Sequence, residues 1–71
     1  MYFQRIKDLR EDNDLSQQEV ADLLFMQRSV YGRYERGERE TPAWIILKLA
    51  EHYKVSADYI LGLTKDSASS K

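Results

Sequence analysis

At 71 residues the chain is one small domain, long enough for a modest apolar core and short for a separate sensing or catalytic domain. The lack of cysteine excludes a disulfide framework and thiolate metal sites. A net charge of −1 argues against holding polyanions by bulk attraction alone. No apolar run approaches the ~20 residues of a membrane span, and the N-terminus lacks the charged-then-apolar order of a secretory signal. A cytoplasmic protein without membrane association is expected.

Five short helices follow from caps and periodicity. Residues 2–13 place Tyr2, Phe3, Ile6 and Leu9 on one side before Asn13 and Asp14 break the pattern. Ser16-Gln17-Gln18-Glu19 is a capping box, in which the serine hydroxyl accepts from the amide three residues on and Glu19 reaches back to the Ser16 amide. A second helix therefore starts at Gln17 and runs to about Leu24, with Val20, Leu23 and Leu24 inward and Ala21 offering a side for close helix approach. Phe25 and Met26 interrupt it. The third helix spans 27–36, with Val30, Tyr31 and Tyr34 at helical spacing on one face and Val30 and Tyr34 marking its inward side, and Gly37 stops it. Thr41-Pro42 then looks like an N-cap followed by a first-turn proline. Helix four covers 42–53 with Ile46, Leu49, Ala50 and Tyr53 toward the core and Ile45 and Leu47 widening the stripe, the mark of a central helix. Ser56 caps a last helix containing Asp58, Tyr59, Ile60 and Leu61, which Gly62 ends. The folded domain is expected over 1–63, with 64–71 (TKDSASSK) as a disordered tail.

Charge is unevenly spread. Residues 1–26 carry three basic side chains against six acidic ones, a local balance of −3, whereas 27–42 carry Arg28, Arg33, Arg36 and Arg39 against Glu35, Glu38 and Glu40. Every basic residue of that window is arginine, the type that meets phosphate and guanine edges in a planar, bidentate way. Opposite the inward side of the third helix fall Arg28, Ser29, Gly32, Arg33 and Arg36. Gly32, at about 1 kcal/mol against alanine in a helix, is read as a bare patch that lets the backbone approach a groove. Two short helices, a three-residue break and an arginine-bearing second helix make a helix-turn-helix. Gln17, at the amide-rich start of the first, is placed to meet a phosphate.

The stretches RIKDLRED, LSQQEVADLL, RYERGERETP and LAEHYKVSADYILGLT resemble the phage-repressor, Cro-like (XRE) family, and the resemblance runs from Arg5 to Thr64. It implies a compact all-α, five-helix lambda-repressor-like domain and a sequence-specific DNA-binding regulator, usually a dimer on a near-palindromic operator. By the same resemblance the phosphate contact falls on Gln17, base reading on Arg28, Ser29 and Arg33, and the backbone-clamping loop on Arg36, Gly37 and Arg39. Gln27, at the cap of the recognition helix, joins the DNA-facing set. Arg10 and Glu35 would form a structural ion pair. Three positions depart from the family pattern. Phe25 stands at a turn usually held by glycine, Gln27 replaces a stronger Ser or Thr cap, and Tyr31 replaces a branched aliphatic, so an altered turn and a tilted helix pair are expected.

His52 has no second histidine or cysteine to join it as a ligand, and no nucleophile–base set appears, so neither enzyme activity nor a cofactor or metal is expected. Trp44 is expected to lie over a neighbouring loop. Tyr59, Ile60 and Leu63 are expected as dimer contacts, because so small a domain has little core left to cover them. The expected partners are a double-stranded operator, a second copy and, for an activator, RNA polymerase, with repression the favoured output and an antitoxin role open to the same domain. The rival reading is a protein-binding module that docks an acidic partner through the arginine face or Trp44.

Overall fold

The computed structural model describes residues 3–67. Five helices follow one another, α1 (Gln4–Asp12), α2 (Gln17–Leu23), α3 (Arg28–Glu35), α4 (Ala43–Tyr53) and α5 (Ala57–Ile60). Among the described residues the only extended pairing is an isolated bridge at Val55, and no helix is long and apolar enough to cross a membrane. The all-α, five-helix expectation therefore holds, with each helix somewhat shorter than periodicity suggested. Tyr2 lies outside the described residues.

The N-terminal caps divide into two kinds. Ser16 Oγ accepts from the Glu19 amide at 3.1 Å while Glu19 Oε1 accepts from the Ser16 amide at 3.0 Å, closing the capping box. Ser56 Oγ likewise accepts from the Tyr59 amide at 3.0 Å. At α4 the expectation fails: Pro42 is the N-cap in extended conformation, and the Thr41 hydroxyl is buried without a hydrogen-bond partner. Gln27 caps α3 by position only, without a side-chain bond.

All five helices end alike. Each is followed by a left-handed residue, Asp14, Phe25, Gly37, Lys54 or Gly62. The next amide then returns to the carbonyl five residues back: Leu15 to Arg10, Met26 to Ala21, Glu38 to Arg33, Val55 to Ala50 and Leu63 to Asp58. This wrap satisfies carbonyls that the helix end would leave bare.

The core joins Ile6 and Leu9 of α1, Val20, Ala21 and Leu24 at α2, Tyr31 of α3, and Ile60 of α5 around Ile45, Ile46, Leu49 and Ala50 of α4. α4 contributes more of it than any other element, as its wide stripe implied. Leu47 is a correction, since it is exposed and adds nothing to that stripe. In α2, Ala21 is buried and Leu23 is only half-buried. Of the three residues expected on the apolar face of α3, Tyr31 is buried, whereas Val30 and Tyr34 are only half-buried, and the inward side is turned toward Glu35, which is buried with Tyr31.

Beyond α5 the chain stays against the body. Arg5 Nη1 donates to the carbonyls of Tyr59 and Thr64, and the Ser56 amide donates to Ser67 O at 3.1 Å. Residues 64–67, the start of the segment expected as a tail, follow the body in this way, and residues 68–71 lie outside the described residues. Ile60 is 1% exposed and belongs to the core, which removes it from the dimer contacts. The Tyr59 ring is half-buried beneath the Arg5 guanidinium, 4.1 Å from its centroid, while Leu63 is exposed. Trp44 is also about half exposed. His52 is exposed on α4, edge-on to the Tyr53 ring.

Candidate nucleic-acid interface

α2 and α3 pack on one another across a turn whose pivot is Phe25, with φ 56°. That is the conformation glycine adopts freely and other residues enter at about 1–2 kcal/mol. The Phe25 side chain is 91% exposed, so little packing offsets the strain. An altered turn was expected here; the backbone instead takes the left-handed form, with phenylalanine in it.

Arg28, Ser29 and Arg33 are exposed along α3, as the helical spacing required. Gly32 is not: it is buried, and the reading of it as an open patch is corrected. A Cβ at this position would lie 2.9 Å from Arg36 Nη1, with the other atoms of that guanidinium next at 3.7 and 3.9 Å. The glycine is thus a seat over which the Arg36 side chain folds. From there Arg36 Nε pairs with Glu38, both side chains being about half exposed. Gln27 and Arg39 are exposed as well.

Behind this surface sits a polar hub. Arg10 Nε donates to Glu35 Oε2 at 2.9 Å and Arg10 Nη2 to Oε1 at 3.0 Å, a two-pronged pair of the kind that favours charge on both partners. Arg10 Nη1 also donates to Leu15 O at 2.8 Å. Glu35, only 3% exposed, is the single buried charged residue among the described residues. Its burial pushes the carboxyl pKa up, but the hydrogen bonds from Arg10 and Gln17 outweigh this and hold it below the usual 4.5. Hydrogen bonding to Glu35 in turn raises Arg10 above its usual value. Burial, followed by the neighbouring carboxylate, raises Tyr31 far above the usual tyrosine value. Burial also pushes Tyr53 up to about 12. Both tyrosine hydroxyls are buried without a hydrogen bond of good geometry.

Gln17 does not simply extend toward solvent from the start of α2. Its Nε2 donates to Glu35 Oε1 at 3.1 Å, and its Oε1 accepts from Arg28 Nη1 at 3.4 Å. The residue therefore joins the buried pair to the first arginine of α3. An open cleft beside it is lined by Lys7, Arg10, Glu11, Gln17, Glu35 and Arg36. Lys7 escaped the sequence reading; its place on the solvent side of α1, one turn before Arg10, is the only signal that could have found it.

Two helices joined by a tight left-handed turn, the later one leaving an arginine-bearing side open to solvent, define a helix-turn-helix domain. Residues 6–60 match the family described as Helix-turn-helix, and the chain belongs to it, in its XRE-type branch. The chain is 41% identical over 66 residues to the "Uncharacterized HTH-type transcriptional regulator YobD" of Bacillus subtilis (strain 168), covering 93% of this chain and 59% of that protein. It is 37% identical over 67 residues to the "HTH-type transcriptional regulator ImmR" of the same organism, covering 94% and 51%. Over 55 residues it is 36% identical to the "Cryptic phage CTXphi transcriptional repressor RstR" of Vibrio cholerae, covering 78% and 50%. The chain thus spans about half the length of the curated relatives it matches. No solved structure matches it.

Proposed function

We propose that this chain is the sequence-specific, double-stranded DNA-binding part of a transcriptional regulator, with α3 as its major-groove helix. The observation that carries the reading is the set Arg28, Ser29 and Arg33, exposed on one helix, while the acids nearest them are already engaged: Glu35 by Arg10 and Glu38 by Arg36. This leaves a cationic, hydrogen-bonding ridge in a protein whose net charge is close to zero, which favours reading bases over bulk attraction. Lys7, Arg36 and Arg39 around it suit phosphate contacts, and Gln17 can give its remaining N–H to a phosphate.

Two copies on a near-palindromic operator would set their α3 helices about 34 Å apart, one turn of DNA. Tyr59 and Leu63 remain the candidate dimer contacts. Occupation of the operator against RNA polymerase, hence repression, is the favoured output, in keeping with the relative named as a repressor.

The test is a salt titration on random duplexes and on duplexes selected from a random pool. DNA reading predicts a steep loss of affinity with salt and a specific excess of about 10³ or more. A scaffold that docks an acidic protein through the arginines or Trp44 predicts neither, and that result would overturn the assignment.

A further inference from the structure

We propose that Arg36 reads a guanine in the major groove, its guanidinium lodged against α3 in the space that Gly32 leaves open. The proposal rests on α3 being the DNA-reading helix. Side chains on a helix lean toward its N-terminus, so a long one at position 36 passes over position 32, one turn back. It needs room there. Arg36 Nη1 lies 2.9 Å from the point that a Cβ on Gly32 would occupy, with the central guanidinium carbon at 3.7 Å and Nη2 at 3.9 Å, so the charged head rests where any other residue would put a side chain. Arg36 itself is the C-cap of α3, its side chain about half exposed. Folding back carries the head one turn, ~5.4 Å, toward the N-terminal half of the helix, the part that such helices bring to the base edges. A contact expected at the rim of the groove is thereby moved inward.

What the head can bind follows from which of its donors is already taken. A guanidinium carries five N–H groups, one on Nε and four on the paired Nη atoms. Arg36 Nε donates to Glu38, and this is the only hydrogen bond of its side chain among the described residues. Nη1 and Nη2 stay free, and together they form the fork that matches O6 and N7 of guanine. Glu38 is itself fixed by the helix ending, because the left-handed Gly37 turns the chain and the Glu38 amide returns to Arg33 O at 2.9 Å. Its carboxylate also argues against a phosphate. A negative charge beside the guanidinium is repelled by a phosphate, whereas a base edge carries no net charge. Place in the loop alone suits Arg36 to the DNA backbone; the glycine seat and the ion pair direct it to a base. Arg39, exposed and without an ion pair among the described residues, keeps the phosphate role.

The experiment starts from duplexes enriched from a random pool and measures affinity for the enriched site and for each single base-pair substitution of a half-site. Four proteins are compared: the parent, Arg36→Lys, Gly32→Ala and their combination. Arg36→Lys keeps the charge and loses the fork, so guanine preference at one base pair should fall about tenfold, while the salt dependence of binding and the other preferences stay as in the parent. Gly32→Ala displaces the guanidinium from its seat without removing its charge. It should lose preference at that same base pair, keep those set by Arg28 and Arg33, melt no lower than the parent, and remove nothing further once position 36 is lysine. If Arg36→Lys keeps every preference, and Arg36→Ala weakens all sequences alike and lowers the salt slope by about 1, the proposal is overturned and Arg36 is a phosphate contact. Parental preference in Gly32→Ala overturns the role of the seat. A pool that enriches no sequence overturns the DNA-reading premise itself, an outcome distinct from an enriched site at which these variants behave like the parent.

Discussion

The two halves of this small domain are held by different physics. Around Glu35, α1, α2 and α3 meet through directional bonds between charges and amides. Around Ile45 and Leu49, α4 meets its neighbours through apolar contact. A directional hub fixes where individual side chains point, and it depends on protonation. An apolar block tolerates small shifts and ignores pH. The arginine-bearing helix is attached to the first kind, which suits a surface that has to be placed to within a hydrogen bond.

Substitutions can separate the halves. The largest effect is expected from Arg10→Met, which leaves the Glu35 carboxylate buried without its partner and should cost about 3–5 kcal/mol in urea unfolding. Adding Glu35→Leu should return most of that loss, because no charge is then left unpaired; if the double variant is as unstable as the single one, the hub is more than its ion pair. Next comes Leu49→Ala in the apolar block, expected to cost about 2–5 kcal/mol through the cavity it opens, equally at pH 7 and pH 4.

The halves should also differ in acid. Glu35 is held below its usual 4.5, so the folded protein binds that proton less readily than the unfolded chain. Its stabilising contribution is complete above about pH 5 and is lost as pH falls through the lowered folded value. The Arg10→Met/Glu35→Leu variant should lack that component of the acid dependence, and an unchanged acid profile would show that Glu35 is not its source.

Smaller effects lie where the regions adjoin. Phe25→Gly should stabilise by about 1 kcal/mol, since left-handed strain is relieved at a side chain that packs little. Gly32→Ala should gain about 0.5–1 kcal/mol of helix propensity while turning the flexible end of Arg36 outward, observable in the thermal midpoint and in the Arg36 side-chain resonances.

Much of the fold was legible because its signals are local. The Ser16 box, the Ser56 cap and the Gly37 and Gly62 stops each lie within a few residues of the bonds they form. The orientation of α3 was not, for the opposite reason. Val30, Tyr31 and Tyr34 share a side by spacing, but which of them goes deepest depends on Glu35, drawn inward by an arginine 25 residues away, and Tyr31 goes with it. The resemblance named that pair; helical periodicity could not show what burying it does to the helix. Gly32 was misplaced in the same way, because its cover is the side chain of Arg36 and not a neighbouring helix. Ile60 was assigned to a dimer surface on the argument that little core remained, yet the core reaches it. For Gln17 the position was legible and the bonds were not, since both of its partners lie on another helix.

The repeated helix endings bear on how quickly the chain can fold. Every helix finishes with a bond that spans only five residues, so each can form its own boundary before it has met the others, and little loop entropy is spent in doing so. A small helical domain built this way should refold in roughly microseconds to milliseconds. The stops held by Phe25 and Lys54 form at a local cost, because both residues enter a backbone basin that their side chains disfavour.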